Sequence, residues 1–389
     1  MSRAGFGQSD TVGHFRVHNF PQDASKPEPN QLKLSTLGVG TYLGNPDHRT
    51  DDLVAAAVIE SVLNGWNVID TASNYRYGHA ETAIGSALDA LLSGGAAQDF
   101  LQEHEYGSDT TRDMLFIATK AGYTDEAFVK RLVEDRVIAR HDVVNGHCLA
   151  PAYVNASVHA SLRRMNLATV DLVYLHNPAE AQLQTAGKSA FAQKMTEAFR
   201  ALEALRTAGA VRYYGVATWD CFRVPPTDAG HLELEDVVAW AKAAAGGGAS
   251  GLVAIQLPVN ADMVEAWSEP WQSVNNESMT LLQAAEKLGV KVFTSGPLGE
   301  GDLVSQAKGR LDGVFGLRDL PATAQKLLQL ARSTPGLPMV AALVGHKAQE
   351  NVVGNVAISR ISPIKPADFL QTINDVRTAL GRKTVHPKA

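Results

Sequence analysis

The sequence predicts an α/β protein, a closed (β/α)8 TIM barrel. Three observations carry that prediction. Eight short apolar runs, at 34–41, 67–72, 115–120, 170–176, 211–218, 252–259, 290–295 and 339–345, alternate with longer segments of helical spacing. Most of the runs are nearly continuous in apolar residues, as a parallel strand covered on both faces must be. The length of 389 residues accommodates one barrel of about 250 residues with insertions. Eight such units favour a closed barrel over an open sheet.

The helical segments justify themselves one by one. Val54, Ala57, Val58 and Val62 share a face, and Gly65 is placed to end that helix. Val154, Val158, Leu162 and Met165 repeat the pattern before the fourth run; Leu281, Ala285 and Leu288 lead to Gly289 before the seventh. Phe369, Ile373, Val376 and Leu380 mark a helix near the C-terminus. Residues 1–33 fit no barrel unit and are read as an N-terminal extension, leaving 34–389 as a single barrel domain. Alternating stretches around 12–20 and 31–34 suggest a hairpin that closes the barrel bottom, with a proline-rich loop over 21–30 between them. Two insertions flank the third run, at 93–113 and 122–147. The second follows a strand, so it belongs at the catalytic end of a barrel.

Composition narrows the function. The net charge is −6, and no long basic run exists to meet nucleic-acid phosphates or an anionic membrane. No apolar run approaches the roughly 20 residues that span a bilayer. The N-terminus lacks the apolar core of a signal peptide. The two cysteines, Cys148 and Cys221, form no CxxC pair and read as reduced thiols. These features predict a cytoplasmic protein.

Catalytic side chains of such a barrel come from the C-terminal ends of its strands. The second run ends in Asp70, with Tyr75 just beyond; the third ends in Lys120; the fourth ends in His176. One polar strand end is commonplace, but four on consecutive strands converge on one mouth. Their chemistry fits the reduction of a carbonyl, which needs a hydride donor and a proton donor. A tyrosine, with an ordinary pKa of about 10, gives up its proton reluctantly. The Lys120 ammonium is expected to lower that pKa, and Asp70 to hold the ammonium in place. His176 can donate a hydrogen bond to the carbonyl oxygen.

These residues carry a family resemblance. Gly65-Trp-Asn-Val-Ile-Asp-Thr-Ala-Ser-Asn-Tyr75, with Glu81 and Gly85 in the next helix, resembles the signature of the aldo-keto reductases. Ile117-Ala-Thr-Lys120 and Asp171-Leu-Val-Tyr-Leu-His176 resemble that family's lysine and histidine strands. The resemblance runs from about Leu34 to Leu380. It implies Asp70, Tyr75, Lys120 and His176 as a catalytic tetrad, a nicotinamide cofactor, and a small carbonyl or alcohol as substrate. Tyr77 is a rival phenol, although the spacing from Asp70 favours Tyr75.

The same resemblance implies a set of cofactor contacts. Gly40, Thr41 and Tyr42 follow the first strand, and Gln256 sits where the family binds the carboxamide. Pro297, Leu298 and Gly299 resemble a loop over the pyrophosphate. Gly345, Lys347, Asn351 and Asn355 resemble the segment around the adenosine phosphate, with Lys347 aimed at a 2′-phosphate. NADP(H) is therefore favoured, and NAD(H) stays open. Departures mark a divergent branch. Thr218 and Trp219 stand where the family usually has Ser-Asn, and Ser295 where an aromatic often stacks. Gly354 and Asn351 replace a common Glu and Arg. Trp219, Trp267, Trp271 and Tyr42 are candidate pocket aromatics, and His147 and Cys148 are expected to reach the mouth and select substrate. A non-catalytic, cofactor-binding regulatory subunit on the same fold is the second reading.

Two patterns compete with this reading and fail. Gly38-Val-Gly40-Thr-Tyr-Leu-Gly44 has the wrong spacing for a dinucleotide fingerprint. His141, His147 and Cys148 lack a fourth zinc ligand, so no metal site is expected.

Overall fold

The computed structural model describes residues 13–20, 30–92, 112–336 and 339–386. A hairpin, β1 (Phe15–Phe20) and β2 (Asn30–Ser35), precedes the barrel. The barrel strands are β3 (Leu37–Gly40), β4 (Val68–Asp70), β5 (Phe116–Ala121), β8 (Val170–His176), β9 (Val211–Ala217), β10 (Leu252–Pro258), β13 (Lys291–Ser295) and β14 (Met339–Gly345). They pair in chain order, all parallel, and β14 closes on β3. Two small hairpins decorate this frame: β6 (Val143–Val144) pairs with β7 (His147–Cys148), and β11 (Gln272–Val274) with β12 (Glu277–Met279).

All eight expected strands are present: the fourth and eighth run as expected, the third is displaced by one residue, and the others are one to four residues shorter, the first because Leu34 and Ser35 belong to the hairpin strand β2. The expected helices also form, at His48–Leu63, Pro151–Arg164, Leu281–Leu288 and Pro366–Ala379. Gly65 (φ 92°) and Gly289 (φ 74°) follow two of these helices in the conformation that glycine tolerates best. Thr280 caps the third helix in a reciprocal box with Gln283. The proline-rich loop, and residues 93–111 of the first insertion, lie outside the described residues. The second insertion is built of a helix, Glu126–Glu134, capped by Asp125, and the β6–β7 hairpin. Among the described residues, no helix is long and apolar enough to cross a membrane.

The period of two along each strand sorts its side chains into layers. Ile117, Val173, Leu175, Val216 and Ile255 face outward into the core beneath the helices. Phe116, Leu172, Tyr174, Tyr213, Ala254 and Phe293 fill the inside of the barrel. Phe20, Leu32 and Leu34 of the hairpin join that inner cluster, and the Phe20 ring lies 5.2 Å from Tyr213 and 5.7 Å from Phe116. The hairpin therefore plugs the bottom of the barrel. The same alternation sets what emerges at the top: Val68 is followed by Asp70, Ala118 by Lys120, Tyr174 by His176, Ala254 by Gln256, and Phe293 by Ser295.

Candidate active site

At the mouth, the four sequence-predicted side chains meet. Lys120 is buried, and its Nζ donates to Asp70 Oδ2 at 2.5 Å and to the Thr71 carbonyl at 2.9 Å. The other Asp70 oxygen accepts from Gln256 Nε2 at 2.7 Å, so the carboxylate is gripped from two strands. Lys120 Nζ lies 4.7 Å from the centre of the Tyr75 ring. Tyr75 in turn stands edge-on to His176, with ring centres 5.8 Å apart. Arg76 and Tyr77 both take left-handed backbone (φ 50° and 56°), which turns Tyr75 inward and leaves Tyr77 78% exposed. The rival phenol is thus outside the cluster. A cavity of about 620 Å³ opens here, and Asp70, Tyr75, His176 and Gln256 are in its wall. That volume is of the size that holds small ligands and cofactors.

Burial and charge set the protonation states. Burial alone would lower the Lys120 ammonium, but Asp70 and then Tyr75 outweigh it and hold its pKa above the ordinary value. Lys120 is therefore charged at neutral pH. Burial is the largest influence on Tyr75 as well; it raises the phenol against the opposing pull of Lys120. The sequence-based expectation of a lowered tyrosine pKa is corrected here: the ammonium pulls in the expected direction, but desolvation wins. Burial, then Lys120 and His147, push His176 well below its ordinary value, so the imidazole is neutral. Its Nδ1 is buried without a partner among the described residues.

A sequence model of the Aldo/keto reductase family matches residues 36–232, half of the chain. The chain belongs to the aldo/keto reductase family. An NADH-specific methylglyoxal reductase from Escherichia coli (strain K12) is 25% identical over 196 residues, 49% of this chain and 50% of its own length. A D-threo-aldose 1-dehydrogenase from a Pseudomonas species is 27% identical over 194 residues, 48% of this chain and 51% of its own. The chain thus spans about half the length of these curated relatives. Among solved structures, it resembles an aldo/keto reductase from Klebsiella pneumoniae in complex with NADP and acetate. The TM-score is 0.58 at 18% identity, over 92% of this chain and 97% of that one. The holo form of an aldo-keto reductase from Bacillus halodurans gives 0.57 at 19%, over 93% and 96%. At such identities the structural likeness speaks for the fold.

Much of the remaining wall of this aldo/keto reductase cavity was named from sequence. Gly40, Thr41, Tyr42, Thr218, Trp219, Ser295, Pro297, Leu298, Gly345, Asn351 and Asn355 all line it. Gly299 and Lys347 do not. Lys347 stands one residue past the wall, where its stem lies over Gly44, and it has no ion-pair partner among the described residues. Trp219 reaches across the mouth, and a Cβ on Gly296 would meet its ring at 3.5 Å. One oxygen of Glu180 accepts from the Trp219 N–H (3.0 Å), the Asp220 N–H (2.8 Å) and the Thr218 hydroxyl, which pins this loop. Arg223 Nε donates to the Trp219 carbonyl at 2.8 Å.

Other expectations are corrected. Trp267 is core, edge-on to Phe369 at 5.6 Å, and neither it nor Trp271 lines the cavity. His147 and Cys148 are fully buried and do not reach the mouth; Cys148 packs with Val129, Leu132 and Tyr153 in a satellite core. The second insertion instead delivers Tyr123, which lines the cavity beside Asn177 and Asn74. Nothing in the local sequence flags Tyr123, whose position depends on how the insertion folds back; Asn74 and Asn177 adjoin Tyr75 and His176 in sequence, and that adjacency is the signal that finds them. Glu81 and Gly85 have packing roles. Buried Glu81 accepts from Thr119 (2.5 Å) and Arg164 (2.7 Å), and a Cβ on Gly85 would sit 2.5 Å from the Arg164 carbonyl oxygen.

Proposed function

We propose that this protein is an NAD(P)(H)-dependent oxidoreductase that reduces an aldehyde or ketone to an alcohol, or runs the reverse, with Tyr75 as general acid and base. The observation that carries the reading is the Asp70–Lys120 pair lying under the Tyr75 ring beside a neutral His176, inside one cavity. A protonated phenol is the form a proton donor needs, and burial keeps Tyr75 in that form. When the phenolate forms, the Lys120 charge beside it stabilises the new anion. Asp70 and Gln256 keep that ammonium from drifting. The neutral His176 ring offers one N–H to the carbonyl oxygen, which polarises the carbon–oxygen bond. In the oxidative direction the Tyr75 phenolate accepts the alcohol proton.

The cavity also fits a dinucleotide. Its wall runs from the Tyr75 cluster past the Gly296–Gly301 loop to Asn351 and Asn355. Gly296 (φ 56°), Gly299 (φ 55°), Glu300 (φ 55°) and Gly301 (φ 102°) are left-handed, a backbone that turns N–H groups into an anion-binding concavity. A Cβ on Gly345 would meet Leu43 at 3.2 Å, so only bare backbone leaves this wall open. Gly40, Thr41, Tyr42, Thr218, Trp219, Gln256 and Ser295 would hold the nicotinamide end. Gly345, Asn351 and Asn355 would hold the adenosine end. When bound, the cofactor supplies the hydride. NADP(H) is favoured because Lys347 stands beside this end with no anionic partner among the described residues.

The test follows nicotinamide absorbance with NADPH and NADH over aldehydes, ketones and sugars, for wild type and Tyr75→Phe. Wild type should turn over at least one carbonyl, and Tyr75→Phe should be slower by about 10²–10⁴-fold. Lys347→Ala should weaken NADPH more than NADH. A Tyr75→Phe protein at the wild-type rate would overturn the role of Tyr75. NADPH binding with no turnover in either direction would favour the regulatory reading.

A further inference from the structure

His147 reaches no substrate, yet the structure commits both its ring nitrogens. Nε2 lies 2.8 Å from the backbone carbonyl oxygen of His176. A carbonyl only accepts, so Nε2 carries the proton. Nδ1 then presents a lone pair, and Gln182 Nε2 donates to it at 3.0 Å. The direction of the Gln182 amide is fixed in turn, because its oxygen accepts from Lys194 Nζ at 3.1 Å. The chain Lys194–Gln182–His147–His176 thus has one consistent assignment of donors and acceptors. Burial holds the His147 pKa down to about 4, in keeping with a single neutral tautomer.

Packing adds a second hold. The His147 ring meets Tyr123 edge-on at 5.4 Å, and Tyr123 meets His176 edge-on at 5.0 Å. Tyr123 is itself tied back, since its hydroxyl accepts from Asn177 Nδ2 at 3.3 Å. Asn177 is in left-handed backbone (φ 48°), so the chain turns sharply just after His176 and needs a support there. Gly122 is cut away to let the support pass: a Cβ on it would lie 2.4 Å from His147 Nε2 and 3.0 Å from the His176 oxygen.

We propose that His147 is a positioning residue for His176: it clamps the His176 carbonyl with one nitrogen and holds the Tyr123 ring by an edge-on contact, so the second insertion serves to aim a mouth residue. This rests on the reading of His176 as hydrogen-bond donor to the substrate. Misplacement of a reacting group by about 1 Å can cost on the order of 10² in rate. His147→Leu keeps the volume and loses both hydrogen bonds; it should lower kcat by about 100-fold and leave KM and the NADPH dissociation constant nearly unchanged. His147→Gln can place an amide N–H where Nε2 was, and should return kcat to within about fivefold of wild type.

A readout independent of turnover is the imidazole ¹⁵N spectrum of His176. It should show one tautomer in wild type and His147→Gln, and broadened or doubled signals in His147→Leu. If His147→Leu does not fold, Gln182→Leu, which leaves the His147 ring in place, should shift the same signals and lower kcat to a smaller extent. Wild-type kcat and an unchanged His176 spectrum in His147→Leu, or in Gln182→Leu should the first not fold, would overturn the proposal; so would a His147→Gln protein as impaired as His147→Leu. If wild type turns over no carbonyl and no alcohol while the spectra change as described, the clamp stands and the oxidoreductase reading falls.

Discussion

The bottom and the mouth of this barrel are made by the same eight strands, yet they are filled by opposite chemistry. At the bottom, Phe20, Leu32 and Leu34 of the hairpin close over Phe116, Tyr213 and Phe293, with rings 5–6 Å apart. At the mouth, the same inward register ends in Asp70, Lys120, His176 and Gln256 around a cavity. The bottom gains stability by removing apolar surface from water. The mouth keeps a buried ion pair, a phenol and a neutral imidazole that hold one another's protonation state. Such a pair is weak evidence of net stabilisation. The difference assigns stability to one end and chemistry to the other, and substitutions can break that division.

The largest effect should come where the mouth also carries stability. Lys120→Met strands the Asp70 carboxylate in a buried place, with Gln256 as its remaining side-chain partner. Removing one partner of a buried pair costs about 3–5 kcal/mol. Denaturant unfolding should show that loss, and carbonyl reduction should fall to background. A variant as stable as wild type would mean that the ion pair is already open to water. Phe20→Ala is the counterpart at the bottom. It should lose about 3 kcal/mol of unfolding free energy, the low end for a buried ring, with turnover per folded molecule unchanged. A fall in kcat at full folding would show that the plug is coupled to the mouth.

A pH measurement sharpens the same contrast at the outer edge of the cavity. Buried His346 stacks on Trp66 at 5.3 Å, with Nε2 2.9 Å from the Ser61 hydroxyl and Nδ1 3.3 Å from Asn355. Burial lowers its pKa from 6.5 to about 4. Between those values the unfolded chain binds the proton more readily than the folded one, so stability is fully present above pH 6.5 and is lost as pH falls toward 4. The shift corresponds to roughly 3 kcal/mol. Urea unfolding at pH 7 and pH 4.5 should show wild type losing most of that, about 2 kcal/mol more than His346→Gln. Equal losses would mean that His346 reaches solvent.

The sequence reveals the barrel and the tetrad for one reason: both depend on period and on strand ends. Asp70, Lys120 and His176 each close an apolar run, and the inward alternation does the rest. What it hides depends on contacts far along the chain. His147 is defined by the carbonyl of His176 and by Gln182, and no local pattern points to either. Tyr123 enters the cavity from the second insertion, and Asn177 enters it directly after His176, where its amide donates to the Tyr123 hydroxyl. Lys347 and Gly299 carry the right motif but stand just outside the wall. One further feature is legible in the sequence: Asn275–Asn276, both left-handed (φ 54° and 64°), form the tight turn of the β11–β12 hairpin, a sequence pair that favours such a turn.

The smallest effect should separate two tryptophans that sequence alone grouped together. Trp219 is half-buried, and its backbone is pinned by Glu180 and Arg223 so that its ring leans on Gly296 at the cavity wall. Trp267 is buried against Phe369, away from the cavity. An aromatic contact of this kind contributes about 0.5–1.5 kcal/mol, up to roughly tenfold in affinity. Trp219→Leu should therefore weaken NADPH binding by up to tenfold and diminish the quenching of protein fluorescence on binding, with stability nearly unchanged. Trp267→Leu should do the reverse, lowering stability and leaving the NADPH dissociation constant alone. If Trp219→Leu bound NADPH as wild type does, the aromatic wall would face only the substrate, and the division between mouth and body would have to be redrawn within the cavity itself.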